Sequence, residues 1–506
     1  MIELSVAEIA AMTHGTITTL PPGIPDSEGG SGIPEVSAYE GALVTGPVVV
    51  DSRQVTPGAL FAALPGEHVD GHDYAAAAAG QGAAAVLAAR PLPGVTVPVI
   101  VVSDVTLALG LLAAGVLGRL PGATVVGITG SSGKTSTKDL TAQVMERHGP
   151  TIAPEGSLNN EIGLPLTVLR ADESTRYLVL EMSARGIGHI AYLTGIAPPK
   201  IAAVLNVGRA HAGEFGSIDA VAKAKGEIVE ALPDAAAGGV AILNYDDANV
   251  RAMAARTGAR TVFTSTGTFG VEPGKEARQG GLPVGVVPDV TAAGVELDEL
   301  GRASFRLFVG RAFADVRLRL IGRHHVANAL AAAAIAAELG MSIQDIANAL
   351  SAATARSSKR MELHERPDGV LVVNDAYNAN PDSTRAALEA LGHLTSAGSG
   401  RRGIAVLGYM AELGDIAAES HAEAGRLAAR HGAAVIVAVG DGAAPVLDGA
   451  RATDGWQGEA VAAADPKAAV AELRNRLRPG DVVLVKASKA AGLWEVADGL
   501  LAEVDQ

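Results

Sequence analysis

Gly130-Ser131-Ser132-Gly133-Lys134-Thr135 are residues whose types and spacing could grip a phosphate chain. Glycines let the backbone turn tightly and aim its N–H groups inward. A lysine at the loop's end can reach the terminal phosphates, and a threonine hydroxyl can hold Mg²⁺. Ala123-Thr124-Val125-Val126 leads in as an apolar strand, and Thr137-Lys138-Asp139-Leu140-Thr141 leads out as a helix-compatible run after Ser136. A helix N-terminus placed there adds partial positive charge. The usual spacing asks for a glycine at position 128, where this chain has Ile128, so the shorter Gly130-x-x-Gly133-Lys134-Thr135 is what fits. The layout predicts a site for a nucleoside triphosphate.

A carboxylate and an imidazole follow at strand ends. Glu181 closes the run Tyr177–Glu181, and Asn206-Val207-Gly208-Arg209-Ala210-His211 follows Ile201–Asn206. Glu181 and His211 could share a Mg²⁺ with the phosphates. In Ala222-Lys223-Ala224-Lys225-Gly226-Glu227-Ile228 the ordinary reading is a solvated helix face, and composition does not choose between Lys223 and Lys225.

These groups need elements to position them. From Pro121 onward apolar strands alternate with helices: Val125–Thr129, Tyr177–Glu181, Ile201–Asn206 and Val240–Asn244 are strand candidates. That alternation predicts a parallel sheet with helices on both faces, its chemistry in the loops at the strand C-termini. Before it, Val48–Val50, Leu60–Leu64, Ala84–Leu87 and Val97–Val102, with a helix over Tyr74–Gly80, predict a small α/β domain. The Pro-, Gly- and Ser-rich residues 21–47 read as a loop inside it, and Gly267–Ala293 as a turn-rich β excursion. Helices are expected over His325–Leu339 and Ser342–Ala353. A further α/β unit follows, with strands Val370–Asn374, Gly403–Gly408, Ala434–Val439 and Asp481–Lys486. The expectation is three α/β domains over 1–115, 116–355 and 356–506 of the 506 residues.

Composition narrows the class. Forty Lys and Arg against 55 Asp and Glu give a formal charge of −15, unlike a nucleic-acid binder. The absence of cysteine excludes disulfides and thiolate metal sites. Met1–Glu8 has no basic stretch followed by an apolar one, and no apolar run is long enough to span a membrane. A cytoplasmic monomer is expected.

Taken together, the motifs identify a resemblance. Gly130–Thr135, Leu158–Thr167, Glu181-Met182-Ser183, Asn206–His211 and Ala224–Ile228 follow the order and spacing of the Mur ligases. Gly322–Leu330, Arg360-Met361-Glu362, Asn374–Pro381 and Met410–Gly414 continue the match. The resemblance covers nearly the whole chain. It implies a small α/β UDP-binding domain, a central parallel-sheet P-loop ATPase domain and a C-terminal Rossmann-like α/β domain. It also implies a cytoplasmic step of peptidoglycan precursor synthesis: ATP-dependent ligation of D-alanyl-D-alanine to a UDP-N-acetylmuramoyl-tripeptide through an acyl phosphate.

The resemblance further implies residue roles. Lys134, Glu181, His211 and Lys225 are the catalytic set. Thr135, Glu181, His211 and a carbamylated Lys225 surround two Mg²⁺ ions. Gly130–Ser136 with Asn328, Arg360 and Asp375 bind ATP, the last three at base, phosphates and ribose. Ser52, Arg53, Asn159, Asn160 and Ser183 face the UDP-linked substrate. Lys486-Ala487-Ser488-Lys489 stands where such ligases often carry Lys-Gly-Ser-Arg, so Lys489 offers a point charge in place of an arginine fork. The competing readings are a related ligase adding a different amino acid, a folylpolyglutamate synthetase, and a nucleotide-binding module without ligation.

Overall fold

The structure is a computed structural model that describes residues 1–18, 41–66, 69–208, 212–267, 288–396 and 398–502. Its contacts divide into two compact units. The first comprises Met1–Gly127, Gly149–Met182 and Ala191–Lys200. The second comprises Ile128–His148, Ser183–Ile190 and Ile201–Gln506.

In the first unit a five-stranded sheet runs in the order Thr16–Thr18, Val99–Val101, Ala85–Ala88, Leu60–Ala62, Val48–Val49. The first pair is antiparallel and the rest are parallel. Ala85–Ala88 is buried throughout, as a central strand covered on both faces must be. Most of the predicted 21–47 loop lies outside the described residues. Its end does not stay a loop, because Leu43–Val44 pairs antiparallel with Leu4–Ser5. Tyr177–Glu181 pairs in parallel with Thr151–Ile152.

In the second unit, Ile201–Val204, Val240–Asn244 and Arg260–Ser265 form parallel neighbours. An antiparallel extension follows: Val290–Leu297, Arg302–Val309 and Ala312–Ile321. The sequence reading passed over the last two. Their buried and exposed positions alternate, and Gly310 turns between them with a φ of 57°. Period-2 alternation with a glycine turn marks a hairpin. The predicted excursion at Gly267–Ala293 falls mainly outside the described residues.

The last sheet runs Glu362–Glu365, Leu371–Asp375, Val482–Lys486, Gly403–Leu407, Ala433–Val439, Glu459–Ala463. It is parallel except at its first strand. Alternate residues serve opposite cores. Leu371, Val373, Ala405, Leu407, Ile436 and Leu484 enter one cluster. Val372, Ile404, Val406, Val437, Val483 and Val485 enter another. A strand buried on both faces needs a near-continuous apolar run, which these strands have. Asp375 and Leu407 are both in register with Lys486. The loops after these three strands therefore leave from one edge, the usual place for a ligand in such sheets.

Candidate nucleotide site

The phosphate loop follows strand Thr124–Thr129 and opens helix Lys134–Met145. Gly133 caps that helix in the left-handed region, with a φ of 79°. A Cβ there would sit 2.7 Å from Asn328 Oδ1, so any larger residue would also have to displace that amide.

Asn206 holds the loop. Its Oδ1 accepts from the Ser132 N–H at 2.8 Å, and its Nδ2 donates to the Ser132 carbonyl at 3.1 Å. The Ser131 N–H donates to the Asn206 carbonyl at 3.0 Å, and the Gly208 N–H donates to Ser131 Oγ at 2.8 Å. Lys134 Nζ donates to the Gly130 carbonyl at 2.8 Å, which places the ammonium over the loop. Thr135 is buried on the first helical turn. The sequence analysis names Asn206 only as part of the segment Asn206–His211. Its place directly after a strand, facing a glycine loop, was the available signal.

Later elements meet the same loop. Buried Asn328 lies against Gly133, and its Nδ2 is 3.3 Å from His325 Nδ1. Asn380 Nδ2 donates to the Ser131 carbonyl at 3.4 Å. Burial pushes His324 down to about 4, with the Asp375 charge opposing and the Lys486 charge assisting. Burial also takes His325 well below the ordinary imidazole range. Both rings are therefore neutral at pH 7.

Asp375 ends its strand with both oxygens engaged. Oδ1 accepts from the Met361 N–H at 3.1 Å, and Oδ2 accepts from buried Lys486 Nζ at 2.5 Å. Each oxygen keeps a second lone pair, so ribose hydroxyls can still be accepted. The sequence reading missed the Lys486 pairing, which depends on strand register. Arg360 stacks 4.3 Å from the Tyr377 ring centroid.

Lys225 is buried on helix Ile218–Glu230, not on a solvated face, whereas Lys223 is exposed. Neighbouring Glu227 accepts from the Gly188 N–H at 2.6 Å. Ser183 is half-buried. His211 lies outside the described residues.

The first unit carries the remaining expected residues. Glu181 is buried at its strand end, and its Oε1 accepts from Asn159 Nδ2 at 2.6 Å. Asn160 Oδ1 accepts from the Gly163 N–H at 2.9 Å, which ties the turn before helix Gly163–Val168. Ser52 and Arg53 lie on one 3₁₀ turn. Arg53 forks onto Asp51, with Nε to Oδ1 at 2.9 Å and Nη2 to Oδ2 at 2.7 Å. Those bonds hold the Asp51 carboxyl down at about 2.

Among the described residues, no three His, Asp or Glu side chains form a group able to hold a metal by themselves. Mg²⁺ commonly keeps waters and takes one or two carboxylates plus substrate phosphates. Glu181 in the first unit carries a buried carboxylate, and Thr135 in the second a buried hydroxyl. Among the described residues, no helix is long and apolar enough to cross a membrane.

Known proteins resemble this chain along nearly its whole length. The Mur ligase family catalytic domain matches residues 47–116, the Mur ligase middle domain 128–336, and the Mur ligase glutamate ligase domain 359–489. A UDP-N-acetylmuramoyl-tripeptide–D-alanyl-D-alanine ligase of Mycobacterium tuberculosis (strain ATCC 25618 / H37Rv) is 46% identical, over 99% of this chain and 98% of that protein. The ligase of that name from Escherichia coli (strain K12) is 36% identical over 90% and 93%. Among solved structures, MurF from Acinetobacter baumannii aligns with a TM-score of 0.80 at 29% identity, covering 99% of both chains. MurF ligase from Thermotoga maritima in complex with ADP aligns with a TM-score of 0.75 at 28% identity, covering 91% of this chain and 98% of that one. The expected α/β class, with several parallel-sheet domains, is the fold of these relatives. With the family's domains matched in order and relatives aligned along nearly the full length, the chain belongs to the Mur ligase family.

Proposed function

We propose that this Mur ligase joins D-alanyl-D-alanine to a UDP-N-acetylmuramoyl-tripeptide at the expense of ATP, a step of peptidoglycan synthesis. The relatives' names and full-length similarity support the substrates. The ADP complex of the Thermotoga relative supports the nucleotide. The observation that carries the reading is the phosphate loop itself. It is clamped by Asn206, overlain by Lys134 and met by Asn328 and Asn380.

A carboxylate oxygen of the tripeptide attacks the γ-phosphorus, and ADP leaves. The neutral amine of the dipeptide then attacks the acyl carbon. The tetrahedral intermediate expels phosphate and forms the amide as the amine gives up its proton. Two anions must meet in the first step, so fixed positive charge is the main requirement. Lys134 and the N-terminus of helix Lys134–Met145 supply it on the phosphate side. Arg360 serves the phosphates, Asn328 the base and Asp375 the ribose. Ser52, Arg53, Asn159, Asn160 and Ser183 serve the UDP-linked substrate.

Mg²⁺, held by Thr135, Glu181, His211 and Lys225, would screen the phosphates and stabilise charge as it moves. Lys225 adds CO₂ to its neutral amine, releasing a proton and leaving a carbamate anion. Its burial supports that reading. The domains run 1–115, 116–355 and 356–506, a division supported by the three matched ranges. The enzyme is a cytoplasmic monomer. Phosphate release tests the reaction: it should require ATP, UDP-muramoyl-tripeptide and D-alanyl-D-alanine together, with the amide confirmed by mass. Release with a single amino acid in place of the dipeptide would overturn the assignment.

A further inference from the structure

The segment that joins Asn206 to the Lys225 helix meets the loop that follows strand Gly403–Leu407. Gly213, in helix Ala212–Phe215, donates its N–H to the Glu412 carbonyl at 3.0 Å. That N–H lies in the first turn of its helix, where no carbonyl of the same helix can reach it. The approach is backbone on backbone. A Cβ on Gly213 would stand 2.9 Å from the Gly414 nitrogen and 3.0 Å from the Glu412 oxygen. Glu412 itself occupies the left-handed region, with a φ of 62°. A non-glycine residue stays there only where its surroundings fix it, and such strain collects at functional sites.

His421 is central to that fixing. It lies on helix Ala417–Arg430 and is 2% exposed. Its Nδ1 is 2.6 Å from the Ala417 carbonyl, which can only accept, so Nδ1 carries the proton. Its Nε2 then accepts from the Met410 N–H at 2.8 Å. Burial lowers the pKa of the ring, against the Ala417 bond, and so keeps that lone pair unprotonated at neutral pH. Met410 and Leu413 are buried in the core of the C-terminal sheet. The Ala411 N–H donates to Oγ of buried Ser488 at 2.9 Å. With Met410, Ala411 and Leu413 held, strained Glu412 between them presents its carbonyl to Gly213. Helix Ala212–Phe215 follows His211 in sequence, and only Gly216 and Ser217 separate it from the helix that bears Lys225.

We propose that His421 is a positioning residue for the ligation: through the Met410–Gly414 loop it holds helix Ala212–Phe215, and so sets where the flanking chain, with His211 and Lys225, stands. This rests on the ligase reading above. Hydrogen exchange and kinetics on the full-length enzyme test it. In His421→Leu the Gly213 amide should exchange faster than in wild type, while the Ser132 amide, clamped by Asn206, keeps its protection. The kcat should fall about tenfold, the worth of one lost hydrogen bond in rate, with KM for ATP unchanged. His421→Gln, whose amide oxygen can accept from the Met410 N–H, should restore both readings. Gly213→Ala presses on the same contact from an exposed position and should lower kcat by a similar factor. Because the two changes act through one contact, the double variant should be little slower than either alone. Unchanged Gly213 exchange in folded His421→Leu, or losses that multiply in the double variant, would overturn the proposal. Should His421→Leu fail to fold, a wild-type kcat in Gly213→Ala would overturn it by itself. A wild type that ligates nothing would sink the ligase reading and the role in ligation with it, whereas the exchange result bears on the His421–Gly213 coupling alone.

Discussion

Lys134 is the residue whose role follows most directly from its chemistry. It lies over the phosphate loop, where on the proposed function a preorganised charge would act on the shifting γ-phosphate. Lys134→Ala should fold normally, as judged by circular dichroism, and lose more than about 100-fold in activity. Near-wild-type turnover would refute the phosphate role. Lys225 makes a sharper chemical claim. If its amine carries CO₂, Lys225→Ala is nearly inactive and a small carboxylate such as acetate partly restores turnover. A bare ammonium in a crystal structure with Mg²⁺ bound would contradict the carbamate. His325 predicts a pH effect of definite sign. Burial lowers its folded pKa well below the ordinary value, so the unfolded chain binds a proton first as pH falls. The associated stability is full above about pH 6.5, the unfolded value, and declines as pH drops towards the folded one. Urea midpoints should therefore fall more steeply between pH 7 and 5 in wild type than in His325→Gln. Equal slopes would remove His325 from the account.

At the scale of elements, the helix that starts at the phosphate loop also grips the segment leading into the C-terminal sheet. Asp139, Gln143 and Glu146 lie along one side of it at spacings of four and three, which helix geometry brings together. Asp139 Oδ2 accepts from the Ser357 N–H at 3.2 Å. Gln143 exchanges two bonds with Thr354, at 2.9 and 3.0 Å, and Glu146 pairs with Arg356. One rigid element thus touches both the phosphate site and the connection to the residues that bear Arg360 and Asp375. Gln143→Ala should leave the Thr354 N–H without its acceptor and speed its hydrogen exchange relative to wild type. Protection unchanged at Thr354 would mean that the grip has another source.

At the scale of the whole molecule, acyl transfer needs reacting atoms about 3–3.5 Å apart and water kept away from the acyl phosphate. The residues assigned to substrates belong to well-separated segments: Ser52 and Arg53, Lys134 to Lys225, and Arg360 with Asp375. Binding a nonhydrolysable ATP analogue together with the UDP-linked substrate should therefore make the chain more compact. Small-angle scattering should record a smaller radius of gyration with both ligands than without. An identical radius at saturation would argue against ligand-driven closure.

The sequence by itself determined the family, the glycine loop and most of the strands. Phosphate loops and parallel strands are local patterns, written in consecutive residues: Gly130–Thr135 needs its neighbours and little else, and Val482–Val485 is apolar because both faces are covered. The hairpin of Arg302–Val309 and Ala312–Ile321 is equally local, since its alternation and its glycine turn lie in consecutive residues. Other features belong to tertiary structure alone. Whether Lys223 or Lys225 is buried depends on which face of one helix meets the core. The Lys486–Asp375 pair depends on strands 111 residues apart sharing a register. The meeting of Asn206, Asn328 and Asn380 at one loop depends on chain reversals that no local spacing encodes. Composition specifies which groups can act, and packing decides which of them are desolvated, paired and brought within reach of one another.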